Sequence, residues 1–315
     1  MKIALVCNSV LPAQAYGGTE RVVWDLGAAL SGLGHEVVLV AAKGTCSPFA
    51  KVVEYLPGKP VAELIPNDVD VVHFNNVADT RSLNKPYIVT IHGNNPAGAS
   101  LDINSVFVSS DHARRHGSDQ FVYNGLDWNR YPEADIRNHR DRLHFLGKGA
   151  WSVKNMKGAI RTARLASLPI DIMGATRLSF KMGFKFSADP NAKFHGMVTD
   201  KEKARIIPRS RGLVFPVLWP EPFGLAITES FWYGAPLYGT PNGSLPELVG
   251  DCGFLSDSAQ ELGLAITEGA GFNPDRCREY AGDLFNSHVM AKAYLSKYER
   301  VMTGATLNPA PLIAL

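Results

Sequence analysis

The sequence predicts an α/β protein made of two parallel-sheet, Rossmann-like domains, and three observations carry that expectation. Short apolar strands alternate with amphipathic helical stretches along the whole chain, the pattern of parallel sheets covered by helices. The 315 residues are enough for two domains of ordinary size, each with its own core. A polar, charged stretch at 127–142, with Pro132 inside it, separates two series of strands and reads as a linker.

In the first series the expected strands are 3–7, 36–41, 69–74, 87–92, 106–109 and 121–123. The second series begins at 143–146 and continues through 170–173, 212–215 and 236–238. Domains are therefore expected at 1–140 and 141–287, followed by a terminal segment at 288–315. That segment opens with a helix at 288–302, and its last residues, 303–315, contain two prolines and read as a loosely held tail. No internal repeat of solenoid period is visible.

Composition narrows the class of protein. Hydrophobic residues make up 45% and charged residues 20%, the balance of a soluble globular protein. A net charge of +2 gives no pull toward nucleic acid. Cys7, Cys46, Cys252 and Cys277 are scattered with no C-x-x-C pair, so neither a zinc ribbon nor a redox motif is suggested, and reduced thiols in the cytoplasm are the default. Residues 3–6 form an apolar run too short for a signal peptide, and no segment approaches the length of a membrane span.

The densest chemistry lies in the run 219–250, W-P-E-P-F-G-L-A-I-T-E-S-F-W-Y-G-A-P-L-Y-G-T-P-N-G-S-L-P-E-L-V-G. Pro220 and Pro222 forbid helix before Phe223, because proline lacks an amide donor and restricts the residue before it. From Gly224 the residues read as helix, ending at Gly234. The amides of Phe223, Gly224, Leu225 and Ala226 then lack carbonyl partners and offer partial positive charge, a site suited to phosphate. Glu221 in the loop and Glu229 inside the helix flank that site. Carboxylates repel phosphate, so their role is to accept hydrogen bonds from neutral diols on either side of it. Ribose, diphosphate and sugar satisfy this arrangement as one ligand. Taken in isolation, such a pair is as well explained by a helix-start carboxylate and a solvated helix residue.

Here the chain resembles the retaining GT-B glycosyltransferases, a family that includes bacterial mannosyl- and glucosyltransferases and is related to sucrose and glycogen synthases. The matching elements are E-P-F-G-L-x-x-x-E at 221–229, the G-x-P at 234–236 and the G-S-x-P-E at 243–247. The resemblance implies a GT-B architecture, with two Rossmann-like domains facing across a cleft. It implies that Glu221 contacts donor-sugar hydroxyls, that the following amides hold sugar and phosphate, and that Glu229 holds the ribose. The terminal helix of the family often crosses back onto the first domain.

Three further segments gain meaning from it. The loop after the first strand runs through Pro12, Ala13, Tyr16, Gly17 and Gly18 to a helix near Glu20, with Thr19 able to cap it. By itself this is a glycine turn. The family's equivalent G-G-x-E loop lies near the donor phosphates and the acceptor. His92, at the carboxyl end of its strand, is by itself a structural hydrogen-bonding histidine. Its T-I-H-G setting resembles the segment that carries a cleft histidine touching the donor sugar. Ser109 and Ser110 match a V-x-V-S segment, and Ser110 is a candidate cap for the next helix.

The family places two cations on the donor diphosphate, in G-R and K-G elements. Their equivalents here are Gly147-Lys148 and Lys154-Asn155, with Lys157-Gly158 a competing register for the second. Lysine supplies charge without the two-pronged contact of arginine. Isolated lysines near a helix start are otherwise solvated surface, and the run Lys201, Lys203, Arg205, Arg209 and Arg211 includes solvated helix positions. Nothing like an Asp-x-Asp site accompanies the donor motif, and His112 and His116 lack a third ligand, so no metal and no cofactor beyond the donor itself are expected.

The implied activity is transfer of a hexose from a nucleoside-diphosphate sugar to a saccharide, glycolipid or other small acceptor, with retention of configuration. The expected setting is the cytoplasm, with the inner membrane face as an option. A related hydrolase or phosphorylase, or a nucleotide-sugar-binding protein without catalysis, is the alternative.

Overall fold

The structure, a computed structural model, describes residues 1–13, 17–75, 80, 82–179, 185–186, 189–269 and 271–314. The chain divides into two compact units, Met1–Asp127 with Leu284–Leu315, and Trp128–Asp283.

The first unit opens with β1 (Lys2–Cys7), α1 (Gly18–Gly32), β2 (Glu36–Ala41), β3 (Lys51–Glu54), β4 (Val71–Phe74) and β5 (Tyr87–Ile91). β6 (Ser100–Leu101), β7 (Ser105–Phe107) and α2 (Ser110–Arg115) follow. Six strands form one parallel sheet in the order β3-β2-β1-β4-β5-β7. Ile3, Ala4 and Leu5 on β1 and Val38, Leu39 and Val40 on β2 are wholly buried, as expected for central strands covered on both faces. The strand order reverses between β1 and β4, which places a topological switch point at their carboxyl ends.

The second unit contains β8 (Arg142–Leu146), α3 (Met156–Leu165), β9 (Ile170–Met173), the two-stranded hairpin β10 (Leu178–Ser179) and β11 (Lys185–Phe186), and β12 (Ala192–Gly196). It continues with α4 (Asp200–Ile206), β13 (Ser210–Phe215), α5 (Leu225–Trp232), β14 (Leu237–Gly239), α6 (Leu245–Leu248), β15 (Gly253–Leu255), α7 (Ala259–Thr267) and α8 (Pro274–Leu284). Its parallel sheet has the order β12-β9-β8-β13-β14-β15, with the switch point between β8 and β13.

The last elements, α9 (Ser287–Met302) and β16 (Leu312–Ile313), return to the first unit. α9 packs on α1 and β5 through a buried polar tether. His73 on β4 bonds Tyr298 Oη at 2.8 Å and Thr90 Oγ1 at 2.7 Å, and Thr90 bonds Tyr294 Oη at 2.9 Å. Burial drives the His73 imidazole well below its ordinary pKa, so it is held neutral.

Several sequence expectations are corrected. The division falls at Asp127 and not near residue 140, because 128–142 is no linker. Trp128 stacks on Trp232 with ring centroids 4.9 Å apart, Ile136 is buried, and Arg140 donates to the carbonyls of Ser210 and Tyr233. The tail is anchored: β16 pairs with β6, and the buried Asn308 side chain donates to the carbonyls of Ile103 and Ser105. Residues 121–123 form no strand, only an isolated bridge from Phe121 to Phe107. Ser109, not Ser110, caps α2 by accepting from His112 N at 3.1 Å. α1 begins at Gly18, with Thr19 already inside its first turn and no side chain capping it.

Candidate functional site

The donor-motif residues cluster at the carboxyl ends of β8 and β13, the switch point of the second sheet. β13 ends at Phe215, and the segment that follows carries Pro216, Pro220 and Pro222, so it leaves the sheet as an irregular loop. Its backbone is tied from three directions. Leu218 N donates to Val153 O at 2.8 Å, and Asn155 Nδ2 donates to Pro216 O at 2.8 Å. Thr240 Oγ1 and Asn242 Nδ2 both donate to Val217 O, at 2.7 and 2.8 Å. Ser244 donates from its amide to Glu221 O at 2.9 Å and from its hydroxyl to Phe223 O at 2.8 Å. Gly243, at φ 63°, presses against the Glu221 backbone where no β-carbon fits. The G-S-x-P-E element is thus the clamp that sets the E-P-F-G loop.

Glu221 is 5% exposed and ion-paired. Its Oε2 accepts from Lys154 Nζ at 2.5 Å and from Trp219 Nε1 at 2.7 Å, and no donor among the described residues reaches Oε1. Lys154 ends a short 3-10 turn and lies over the Trp219 ring, 4.9 Å from its centroid. Asn155 then takes the left-handed conformation, φ 52°, and caps α3 by accepting from Gly158 N at 3.0 Å. The asparagine that replaces the expected glycine keeps the required backbone, because asparagine tolerates that region better than other side chains. Lys157 is exposed in the first turn of α3, whereas Lys154 faces Glu221. Lys148, half-buried, lies over Trp151 at 5.1 Å, and Trp151 meets Trp219 edge to face at 6.1 Å.

Between the two glutamates, Phe223 is buried and Gly224, in the left-handed region at φ 92°, starts α5 without any side-chain cap. Gly224, Leu225 and Ala226 are half-buried. The amides of this first turn lack intrahelical partners by the geometry of a helix start. The helix ends as the sequence predicts, with Gly234 left-handed at φ 71°.

Glu229, 6% exposed, lies one turn into α5, where Oε1 accepts from Tyr131 Oη at 2.9 Å and from Lys203 Nζ at 2.6 Å. Lys203 also pairs with Asp200 at 3.2 Å. Lys203 is thus not among the solvated positions of its run: it is 6% exposed and pairs with a buried carboxylate. Lys203, Tyr131 and Trp219 were missed as partners of the motif. Only Trp219, two residues before Glu221, carried a local signal. Behind the site His144 on β8 bonds Ser210 and Ser230 hydroxyls at 2.7 and 2.9 Å, and burial lowers its pKa to about 3.

In the first unit His92 follows β5, half-buried, with Nε2 3.1 Å from Asn75 Oδ1. Desolvation lowers its pKa to about 4, so the ring is neutral at physiological pH. Gly17 and Gly18 begin α1, and the Glu20 carboxylate folds against Gly17, where a β-carbon would meet it. Tyr16 lies outside the described residues. His112 and His116 are buried against Phe107, and among the described residues no group of three or more metal-ligating side chains could hold an ion.

Residues 140–268 match the family described as "Glycosyl transferases group 1". No curated protein sequence matches the chain. Among solved structures, the chain is similar to AviGT4, a glycosyltransferase involved in avilamycin A biosynthesis, with TM-score 0.77 and 23% identity over 97% of this chain and 99% of that one. It is similar to sucrose-phosphate synthase from Thermosynechococcus elongatus, with TM-score 0.68 and 19% identity over 96% and 100%. A third similar structure is Anabaena Alr3699/HepE in complex with UDP and glucose, with TM-score 0.65 and 18% identity over 95% and 99%. The two Rossmann-like parallel-sheet units are those of the GT-B glycosyltransferase fold. Among the described residues no helix is long and apolar enough to cross a membrane.

Proposed function

We propose that this chain is a glycosyltransferase that moves a hexose from a nucleoside-diphosphate sugar to a saccharide or lipid-linked saccharide, with retention at the anomeric carbon. One observation carries the reading. A clamped loop and an uncapped helix start present backbone amides between two buried glutamates, with a lysine against one of them, in the part of the chain that matches group 1 glycosyltransferases. The complex of HepE, a protein of similar fold, with UDP and glucose supports a nucleotide-sugar ligand.

In this reading the donor diphosphate lies on the amides at Phe223 to Ala226, and Lys148 and Lys154 supply positive charge as the glycosyl–phosphate bond breaks. Stabilising that departing charge is the main catalytic task. Glu221 accepts a donor-sugar hydroxyl at Oε1, since Oε2 is taken by Lys154 and Trp219. Glu229 accepts from the ribose, with Tyr131 and Lys203 fixing its orientation. Retention follows from front-face attack, in which the leaving phosphate takes the acceptor's proton. Gly17, Gly18 and His92 are the first unit's candidates for donor contact. The reaction requires no metal and no further cofactor.

The test is a thermal-shift screen of nucleoside diphosphates and their sugars, since a ligand that binds only the folded chain raises its melting temperature by mass action. A selective shift with one nucleotide, followed by donor turnover that depends on an added saccharide, is the expected result. Absence of a shift with every nucleotide and nucleotide sugar would sink the proposal.

A further inference from the structure

We propose that the second unit carries a separate anion site, between β12 and α4, that binds a phosphate-bearing small molecule or headgroup. A cavity of about 460 Å³ opens there, lined by Arg142, Lys193, Arg205 and Arg209 together with Asp171, His195 and Glu202. That volume suits a phosphorylated metabolite or a single lipid headgroup.

The charge pattern sets it apart from an ordinary salt-bridged surface. Four permanent cations line the cavity against two carboxylates, of which Asp171 is ion-paired and Glu202 is hydrogen-bonded within its own helix start. Asp171, 3% exposed, takes Arg142 at 3.1 Å and His195 Nε2 at 2.7 Å. Glu202 closes the capping box of α4, accepting from Thr199 N at 2.7 Å and Thr199 Oγ1 at 2.8 Å. Among the described residues, Lys193, Arg205 and Arg209 form no ion pair, although a carboxylate sits on the same wall. With His195 counted as neutral the lining carries an excess of two positive charges, and an anion with several oxygens is the ligand that complements it.

The fold explains why these side chains converge. Lys193 and His195 both lie on β12, an edge strand whose register shifts between Phe194 and Gly196, and Lys193 is registered with Asp171 on β9. Arg205 lies in the last turn of α4, and Arg209 follows in the 3-10 turn Ile207–Arg209. Arg142 is the first residue of β8, so the cavity lies at the amino end of that strand, whereas Lys148 and Glu221 follow the carboxyl ends of β8 and β13. The inference is independent of the donor reading.

The experiment is calorimetric titration of the full chain with inorganic pyrophosphate, and co-sedimentation with vesicles of phosphatidylcholine with or without phosphatidylglycerol. Arg205→Ser/Arg209→Ser should weaken binding at least tenfold while leaving the melting temperature unchanged, since both side chains are exposed. Lys193→Gln provides a second variant, and Lys154→Ala reports on the donor motif instead. Pyrophosphate binding without vesicle binding assigns a soluble phosphorylated ligand. Phosphatidylglycerol-dependent vesicle binding that is lost in the double variant assigns a lipid headgroup. A loss confined to Lys154→Ala, a loss in neither variant, or no binding of either probe by the wild type overturns the proposal.

Discussion

Gly243 stands so close to Glu221 that a β-carbon built on it would lie 2.2 Å from the Glu221 amide nitrogen and 2.4 Å from its carbonyl oxygen. The obstruction is backbone, which cannot swing aside as a side chain can. The position of a motif carboxylate therefore depends on a glycine 22 residues further along the chain.

Gly243→Ala should cost about 2–4 kcal/mol of stability, the sum of a positive φ and a displaced loop. It should also weaken nucleoside-diphosphate binding by about tenfold or more, a loss of at least about 1.4 kcal/mol. Denaturant unfolding and calorimetry measure the two effects. Unchanged values in both would mean that the clamp has no role in setting Glu221.

Lys203→Met leaves Glu229 buried without its cation. Breaking one side of a buried ion pair costs about 3–5 kcal/mol, more than the pair itself is worth. The double variant Lys203→Met/Glu229→Gln should regain most of that loss, because it removes the uncompensated charge. A double-mutant cycle by urea unfolding tests this, and additive effects would contradict the pairing.

Lys154→Ala should lower donor turnover by about two to three orders of magnitude, the usual effect of deleting a group that stabilises transition-state charge. Lys154 also grips Glu221 Oε2, so the variant's melting temperature must be followed alongside kcat. Near-normal turnover in a folded variant would refute the phosphate assignment.

Acid should destabilise the fold through its buried imidazoles. His144 is lowered to about 3 and His73 is lowered well below its ordinary value, in both cases chiefly by burial. Between about pH 3 and 6.5 the unfolded chain binds a proton at His144 that the folded chain does not, so stability rises with pH across that window. The contribution is complete above the unfolded pKa near 6.5 and is lost as pH falls toward 3. Moving from pH 7.5 to pH 5 should cost about 2 kcal/mol from His144. Urea unfolding at the two pH values checks it, with His144→Gln expected to show a smaller difference. Equal wild-type stability at both would be inconsistent with buried neutral histidines.

Much of the frame was legible in the sequence. Apolar runs marked the central strands β1, β2, β5, β8, β9 and β13, since a strand covered on both faces needs little else. Missed strands lie mostly at sheet edges: β3 and β12 begin or continue with lysines and are partly exposed, and β15, Gly253–Leu255, is only three residues long, too short to register as an apolar run. Edge strands pair on one side only, so their sequences are freer to be polar.

By itself the sequence determined where α5 starts and stops, because prolines at 220 and 222 and glycines at 224 and 234 act on their own backbone whatever surrounds them. It also determined the two-sheet class. Only the tertiary structure decided that Lys154 pairs with Glu221, that Lys203 and Tyr131 hold Glu229, and that the charged stretch before β8 packs inside the second unit. Those contacts join residues from 26 to 98 positions apart. Burial and pairing are set by what the folded chain brings beside a side chain, which no local pattern records.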